Sequence, residues 1–163
     1  MNLIRTLRDD LSRLDNPTLA NAVKWYFISK GECFPYVVWL RILQKVRSCR
    51  VLRNTFGIPV YLIYRHFEFK YGIHANANIE IGGGFRPIHG PCNLNAARIG
   101  RNFTVYSGVT IGLHKRGLPA IGDNVSVFPN AVVCGGIHIG DGATVGALTY
   151  VSRDMAPGEV MHE

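Results

Sequence analysis

Residues Ile121 to Met155 read IGDNVSVFPNAVVCGGIHIGDGATVGALTYVSRDM, and an aliphatic side chain returns at every sixth position of this stretch. The period also extends toward the N-terminus, where Ile73 and Ile79 keep the same spacing. The aliphatic positions that share one register are Ile99, Val105, Ile111, Ile121, Val127, Val133, Ile139, Val145 and Val151. Glycine often follows the aliphatic residue, and a small residue or valine often lies four positions after it.

A six-residue period indicates short flat strands separated by tight turns, with one aliphatic side chain per strand directed inward. Three such strands form one triangular coil, and stacked coils bury a continuous aliphatic column. The sequence therefore predicts a mainly β protein, a parallel β-helix of four to five coils over residues 73–163. Spacing alone does not determine the handedness of the helix.

The period is interrupted once, between Ile111 and Ile121, where ten residues replace six. The four extra residues predict a loop that protrudes from the coil. This loop contains Leu113, His114, Lys115, Arg116 and Gly117.

Residues 1–72 have a helical pattern, which predicts a second region before the β-helix. Asn16 and Pro17 resemble the cap and first residue of a helix that Gly31 would end. Residues 34–50 predict an amphipathic basic helix, and a third, aromatic-rich helix is expected from about Pro59 to Lys70. The apolar side chains of these helices could pack against the rest of the protein or adsorb to a membrane surface.

The composition excludes several classes of protein. The chain has 163 residues, of which 47% are hydrophobic and 18% charged, so it is not largely disordered. It has no apolar run of membrane-spanning length and no secretory signal pattern, and we expect a cytoplasmic protein whose four scattered cysteines are reduced. The net charge of +7 arises entirely in residues 1–72, which hold 12 Lys and Arg against 5 Asp and Glu. Charge alone, without a recognition motif, does not support nucleic-acid binding.

The stretch from Ile121 to Met155 resembles the hexapeptide-repeat acyltransferases, whose fold is a left-handed parallel β-helix. Two further segments, Ile81 to Gly90 and Gly108 to Gly112, resemble the serine acetyltransferase branch of this family. The overall plan of a short basic helical region, with Leu62 to Arg65 near its end, looks closest to the colanic-acid-type polysaccharide O-acetyltransferases. That resemblance implies acetyl-CoA as co-substrate, no metal ion and a homotrimer. The basic amphipathic N-terminal helices, by themselves, fit either a peripheral position at the inner face of the membrane or packing onto the rest of the protein.

The resemblance also implies roles for individual residues. It makes His89 the general base, which suits an imidazole with an ordinary pKa near about 6.5, and gives His114 a second catalytic role, reaching a neighbouring subunit's site. Asn93 and Asn95 would bind the acceptor. The residues expected to contact acetyl-CoA are Gly112, Ala131, Ala147, Lys115, Arg116 and Arg153.

The sequence departs from the serine acetyltransferase pattern in three places. Counting back from His89 to the expected aspartate gives His74 or Gly72, and Leu118 rather than histidine precedes Pro119. The C-terminal segment that normally helps to hold coenzyme A is also missing. These departures favour a sugar hydroxyl of a surface polysaccharide as the acceptor over serine.

Three other functions are alternatives to acetyl transfer onto a sugar. Serine O-acetylation is the first alternative, and a non-catalytic β-helix scaffold is the second. A metal-dependent hydratase of the γ-carbonic anhydrase type needs closely spaced histidines, and those of this chain are too dispersed.

Overall fold

The computed structural model describes residues 2–14, 18, 20–21, 23, 26, 33–76, 78–114 and 117–162. Three helices precede the strands: α1 (Leu3–Leu11), α2 (Phe34–Ser48) and α3 (Arg50–Tyr71). The strands in chain order are β1 (Ile73–Ala75), β2 (Glu80–Ile81), β3 (Arg86–Ile88), β4 (Cys92–Leu94), β5 (Arg98–Ile99), β6 (Thr104–Tyr106), β7 (Thr110–Gly112), β8 (Ala120–Ile121), β9 (Ser126–Val127), β10 (Val132–Cys134), β11 (His138–Ile139), β12 (Thr144–Val145), β13 (Tyr150–Val151) and β14 (Val160–Met161).

The strands form three parallel sheets, and each coil contributes one strand to each sheet. The sheet orders are β1-β4-β7-β10-β13, β11-β8-β5-β2 and β14-β12-β9-β6-β3. Partners in neighbouring coils, such as Ala120 and His138, are 18 residues apart. The predicted parallel β-helix is therefore confirmed. The four-residue insertion also appears, because Arg98 pairs with Ala120, 22 residues away.

The interior of the β-helix holds two aliphatic rows rather than one. Ile111 and Val133 lie in register in the predicted row, and Val109 and Ala131, two positions earlier, are also buried. Upstream, Ile73 and Ile79 keep the six-residue spacing but belong to the second row, because Ile81 pairs with Ile99 while Ile79 is buried two positions earlier. Spacing alone could not reveal this shift, since a strand that alternates in and out buries residues two apart.

The helices differ from the prediction at their boundaries. Helix α2 agrees closely with the expected residues 34–50, but α3 begins at Arg50 rather than near Pro59. Pro59 lies inside α3, where the chain around it is exposed and water can satisfy the carbonyl that loses its partner. The expected helix between Asn16 and Gly31 lies largely outside the described residues. No helix in the described part of the chain is long and apolar enough to cross a membrane.

A buried ion pair joins the helices to the first coil. The side chains of Asp10 in α1 and Arg41 in α2 are both fully buried, with Nε of Arg41 2.9 Å from Oδ2 of Asp10. Arg41 also donates to the carbonyl oxygens of Ile81 and Gly82, both at 2.6 Å. Oδ1 of Asp10 accepts from the amides of Gly84 and Phe85 at 2.8 and 2.9 Å. Two charged side chains thus satisfy four backbone groups of the segment that leads into β3.

A buried tyrosine pair fixes helix α3 against α2 and β1. The hydroxyl of Tyr64 donates to the carbonyl oxygen of Ala75 at 3.0 Å and lies 3.3 Å from the hydroxyl of Tyr36. Burial raises the pKa of Tyr64 to about 12 and that of Tyr36 well above its ordinary value. Both hydroxyls therefore remain protonated at physiological pH and keep their hydrogen bonds.

Replacing Asp10 with alanine is expected to destabilise the protein by about 3–5 kcal/mol, because it leaves the buried guanidinium of Arg41 without a counter-charge. The neighbouring change Asp9→Ala is the control. Asp9 lies 3.7 Å from an exposed Arg101, a surface pair worth about 1 kcal/mol or less. Urea unfolding at one fixed protein concentration measures both changes. Equal losses for the two variants would contradict the role assigned to Asp10.

Two cysteines are expected to differ in reactivity: Cys49, at the start of α3, and Cys92, in the interior of the β-helix. Hydrogen bonds from the backbone amides of Leu52 and Val51 lower the pKa of Cys49, whereas burial raises the pKa of Cys92 to about 12. Since the thiolate is the nucleophile, iodoacetamide should modify Cys49 at least about tenfold faster than Cys92 near pH 8. Peptide mass spectrometry over time measures the two rates, and comparable rates would show that burial does not protect Cys92.

Candidate active site

His89 occupies a corner of the first coil, between β3 and β4. Its backbone φ is +58°, in the left-handed region, and its side chain is exposed. The equivalent corners of the next coils hold Gly108, Asn130 and Leu148, also at positive φ. The first two corners are hydrogen-bonded to each other, since the amide of Gly108 donates to the carbonyl oxygen of Pro91 at 2.6 Å.

The coil imposes the left-handed conformation at this corner, but it does not demand a histidine. Glycine and asparagine adopt positive φ at lower cost, and the structure uses them at Gly108 and Asn130. A histidine held in this conformation, with its imidazole exposed, supports a hypothesis of function rather than of folding.

The β1-β4-β7-β10-β13 sheet brings three predicted site residues to one outward face. Asn93 of β4 pairs in register with Thr110, and the amide of Asn95 donates to the Ile111 carbonyl at 2.9 Å, beside Gly112. Both asparagine side chains are exposed. His89 lies three residues before β4, at the edge of this same face.

Gly112 leaves open space on this face. A Cβ atom added to it would have no heavy atom within 4 Å, apart from its immediate chain neighbours. At Gly108, by contrast, the same atom would collide with the side chain of Asn130. Glycine is therefore required by the coil at position 108 but not at position 112, where a ligand could lie against the backbone.

The two alanines predicted to contact coenzyme A lie in different surroundings. The side chain of Ala131 is fully buried in the interior of the coil, so only its backbone could approach a ligand. Ala147 is exposed, at the corner that also holds Leu148. The sequence could not separate them, since both are small residues in the repeat.

The inserted loop begins directly after Gly112. His114 and Gly117 are joined by two backbone hydrogen bonds of 3.2 and 2.8 Å, and His114 is exposed. Lys115 and Arg116, predicted to contact the coenzyme, lie outside the described residues. The loop thus extends from the same end of β7 as the open space at Gly112.

Arg153, the remaining basic residue predicted to bind the coenzyme, already has partners within the chain. Its guanidinium is 2.7 Å from the Glu159 carboxylate and donates to the Asp154 carbonyl at 2.9 Å. The hydrogen bond with Glu159 raises the pKa of Arg153 and lowers that of Glu159. A coenzyme phosphate would therefore have to compete with Glu159.

The structure adds an acidic residue that the sequence analysis missed. Glu68, near the end of α3, has an almost fully buried carboxylate that lies 2.6 Å from Arg65 and 3.5 Å from Nδ1 of His74. His74 pairs in register with Asn93, so it belongs to the same outward face. Counting along the repeat could not find this acid because it comes from the helix. In the described residues, no three His, Cys, Asp or Glu side chains are grouped as metal ligands.

Comparison with known proteins gives a consistent result. Residues 119–153 match the family described as bacterial transferase hexapeptide (six repeats). A serine acetyltransferase of Helicobacter pylori is 32% identical over 97 residues, which are 56% of this chain and 57% of that protein. The Bacillus subtilis serine acetyltransferase is 32% identical over 110 residues, 63% of this chain and 50% of that protein. The chain thus spans about half the length of the curated relatives it matches.

Solved structures extend the likeness to the helices. The serine acetyltransferase of Neisseria gonorrhoeae in complex with serine has a TM-score of 0.78 at 21% identity, covering 99% of this chain and 66% of that chain. That of Entamoeba histolytica in complex with L-cysteine has a TM-score of 0.74 at 22% identity, covering 99% and 63%. At this identity the likeness concerns the fold.

These relatives correct the expected branch and acceptor. The colanic-acid-type resemblance and the sugar acceptor rested on the plan of basic helices before a β-helix, yet serine acetyltransferase structures cover almost all of this chain, helices included. That plan therefore does not distinguish the two branches, and the assignment to polysaccharide O-acetylation was wrong. Residues 119–153 thus match the bacterial transferase hexapeptide family, and the fold of the chain is similar to that of solved serine acetyltransferases.

Proposed function

We propose that this chain is an acetyl-CoA-dependent O-acetyltransferase with L-serine as its acceptor. The serine acetyltransferase relatives support the reaction and the acceptor. The observation that carries the proposal is His89, an exposed imidazole held at positive φ three residues before β4, the strand that carries Asn93. Coenzyme A is bound in one of the structurally similar serine acetyltransferases.

His89 acts as the general base in this proposal. Its unprotonated ring nitrogen takes the proton of the serine hydroxyl as the oxygen attacks the thioester carbonyl. The carbon–sulfur bond then breaks, and the proton from His89 passes to the departing thiolate. The products are the O-acetyl ester and the free thiol, with no net change in the enzyme.

The backbone near Gly112 supplies the second part of the site. Amide groups fixed in a strand can stabilise the negative charge that develops on the thioester oxygen, at no reorganisation cost. The absence of a side chain at Gly112 lets the pantetheine arm approach that backbone. Asn93 and Asn95 are the proposed contacts for the acceptor.

A single protomer leaves this face open, and we propose a homotrimer that closes it. Five large apolar side chains are exposed along the β-helix: Leu113, Phe128, Leu148, Tyr150 and Val160. The first four lie on the inserted loop, on β13 and at the corners that hold Asn130 and Leu148, where a neighbouring subunit would cover them. In that arrangement, His114 would extend toward the adjacent subunit's site.

Replacing His89 with asparagine is expected to lower acetyl transfer by about 100- to 10,000-fold, because the base is lost. Asparagine tolerates positive φ, so the corner should keep its conformation. A thiol-release assay with acetyl-CoA measures the rate, with L-serine offered beside L-threonine and L-homoserine. Release should require L-serine.

The matched control is His138→Asn, an exposed histidine on a different sheet, which should leave the rate unchanged. Full activity in His89→Asn would remove His89 from the mechanism. A wild-type protein that binds acetyl-CoA but releases no thiol with L-serine would contradict the proposed acceptor.

Replacing Gly112 with leucine is expected to raise the KM for acetyl-CoA about tenfold, equivalent to about 1.4 kcal/mol of binding. The new side chain would fill the open space without meeting the coil, so the thermal unfolding midpoint should not change. Steady-state kinetics and a melting curve of the same preparation test both statements. An unchanged KM would show that the coenzyme binds elsewhere.

A further inference from the structure

Helix α3 exposes a row of large apolar side chains, which we name the α3 stripe: Val51, Ile58, Leu62 and Phe69. Their spacings of seven, four and seven residues place them within a narrow arc of the helix surface. Their exposed fractions are 72%, 77%, 62% and 65%. Phe56 and Ile63 are also exposed, on another side of the helix.

The α3 stripe is the face of the helix turned away from the protein. The two buried residues of α3, Tyr64 and Glu68, lie on the opposite side, where the helix packs on α2 and β1. An ordinary surface helix buries its apolar face and exposes its polar one. A row of large apolar side chains left exposed along one face of a helix indicates an interaction site.

The charges around the α3 stripe have a single sign. Arg50 and Lys70 are exposed on the two flanks of the stripe, and Arg65 stacks over Phe69 with its guanidinium carbon 4.3 Å from the ring centroid. The only acidic residue of α3, Glu68, is buried and bound to Arg65. The surface that faces outward is therefore apolar and basic.

We propose that the α3 stripe binds the surface of an anionic lipid bilayer, with the helix lying in the plane of the interface. The apolar row would enter the boundary between headgroups and acyl chains, and the basic residues would meet lipid phosphates. The stripe spans 19 residues, so its ends are 18 steps of 1.5 Å, or about 27 Å, apart, and it forms a convex row that suits a flat surface.

The charge pattern favours an anionic bilayer over a second copy of the chain as the partner of the α3 stripe. Two α3 stripes in contact would set basic residues against basic residues, with no exposed acid on either helix to compensate. A bilayer that contains acidic lipids supplies the complementary charge. This inference is independent of the acyl-transfer proposal, since it involves none of the residues assigned to that site.

Co-sedimentation of the whole protein with lipid vesicles tests the proposal. We expect binding to vesicles of mixed phosphatidylcholine and phosphatidylglycerol at low salt, and much weaker binding to phosphatidylcholine alone. Binding should weaken as salt is raised, because the basic residues contribute through screened charge. A wild-type protein that does not bind the mixed vesicles overturns the proposal.

Two variants locate the binding surface. Ile58→Glu should weaken vesicle binding at least tenfold, and its matched control is Val160→Glu, the same kind of change at an exposed residue of β14. The double variant Arg50→Gln/Lys70→Gln should weaken binding roughly fivefold for each residue replaced. It also serves as the test if Ile58→Glu does not fold, as judged by its melting curve. Wild-type binding by a folded Ile58→Glu or by the double variant overturns the assignment to α3.

Light scattering without lipid separates the bilayer from a second copy of the chain. The wild type and Ile58→Glu should have the same molar mass in solution. A lower mass for Ile58→Glu would mean that the α3 stripe is covered by another copy, and the proposal would fail. Thiol release by Ile58→Glu should match the wild type, since the two proposals use different surfaces.

Discussion

The buried ion pair between Asp10 and Arg41 is the interaction on which the arrangement of helices and coils depends. A charged pair without solvent is costly to form, and it persists only where every remaining donor and acceptor is satisfied. Here the backbone supplies those partners, through the carbonyls of Ile81 and Gly82 and the amides of Gly84 and Phe85. The pair therefore does more than join α1 to α2. It specifies which part of the first coil the helices must meet.

The ion pair also affects the position of the candidate site, because only a few residues separate Phe85 from His89. Phe85 is fixed by Asp10, β3 begins at the next residue, and His89 follows β3 directly. The first coil has no earlier coil to stack against, so its geometry depends on the helices that cover it. The position of His89 is thus determined from both sides, by the ion pair on one and by the hydrogen-bonded corner at Gly108 on the other.

The sequence predicts the part of this structure that repeats and misses the parts that do not. The aliphatic period predicts the coils, and the gap after Ile111 predicts the loop, because each coil adds the same local pattern. The spacing alone does not show that Ile73 and Ile79 belong to the second buried row, because both rows have the same period. The proximity of Asp10 to Arg41, and of Glu68 to His74, has no local signature, since each contact joins residues from different elements. The division between residues 72 and 73 stays a prediction. The predicted sugar acceptor was wrong because it rested on the plan of helices before a β-helix, and serine acetyltransferases share that plan.

Helix α3 carries the α3 stripe, and the backbone at its C-terminal end packs closely against the corner that holds His89. Gly72 ends the helix at a φ of +66°, and its carbonyl accepts the amide of Cys92 at 3.1 Å. The Tyr71 carbonyl occupies the place that a side chain at position 90 would need, so only glycine fits there. His89 precedes that glycine. A bilayer surface that orients α3 therefore also orients the corner that carries His89. The α3 stripe can stay exposed because Tyr36, Tyr64 and Ala75 hold the opposite face of the helix in place.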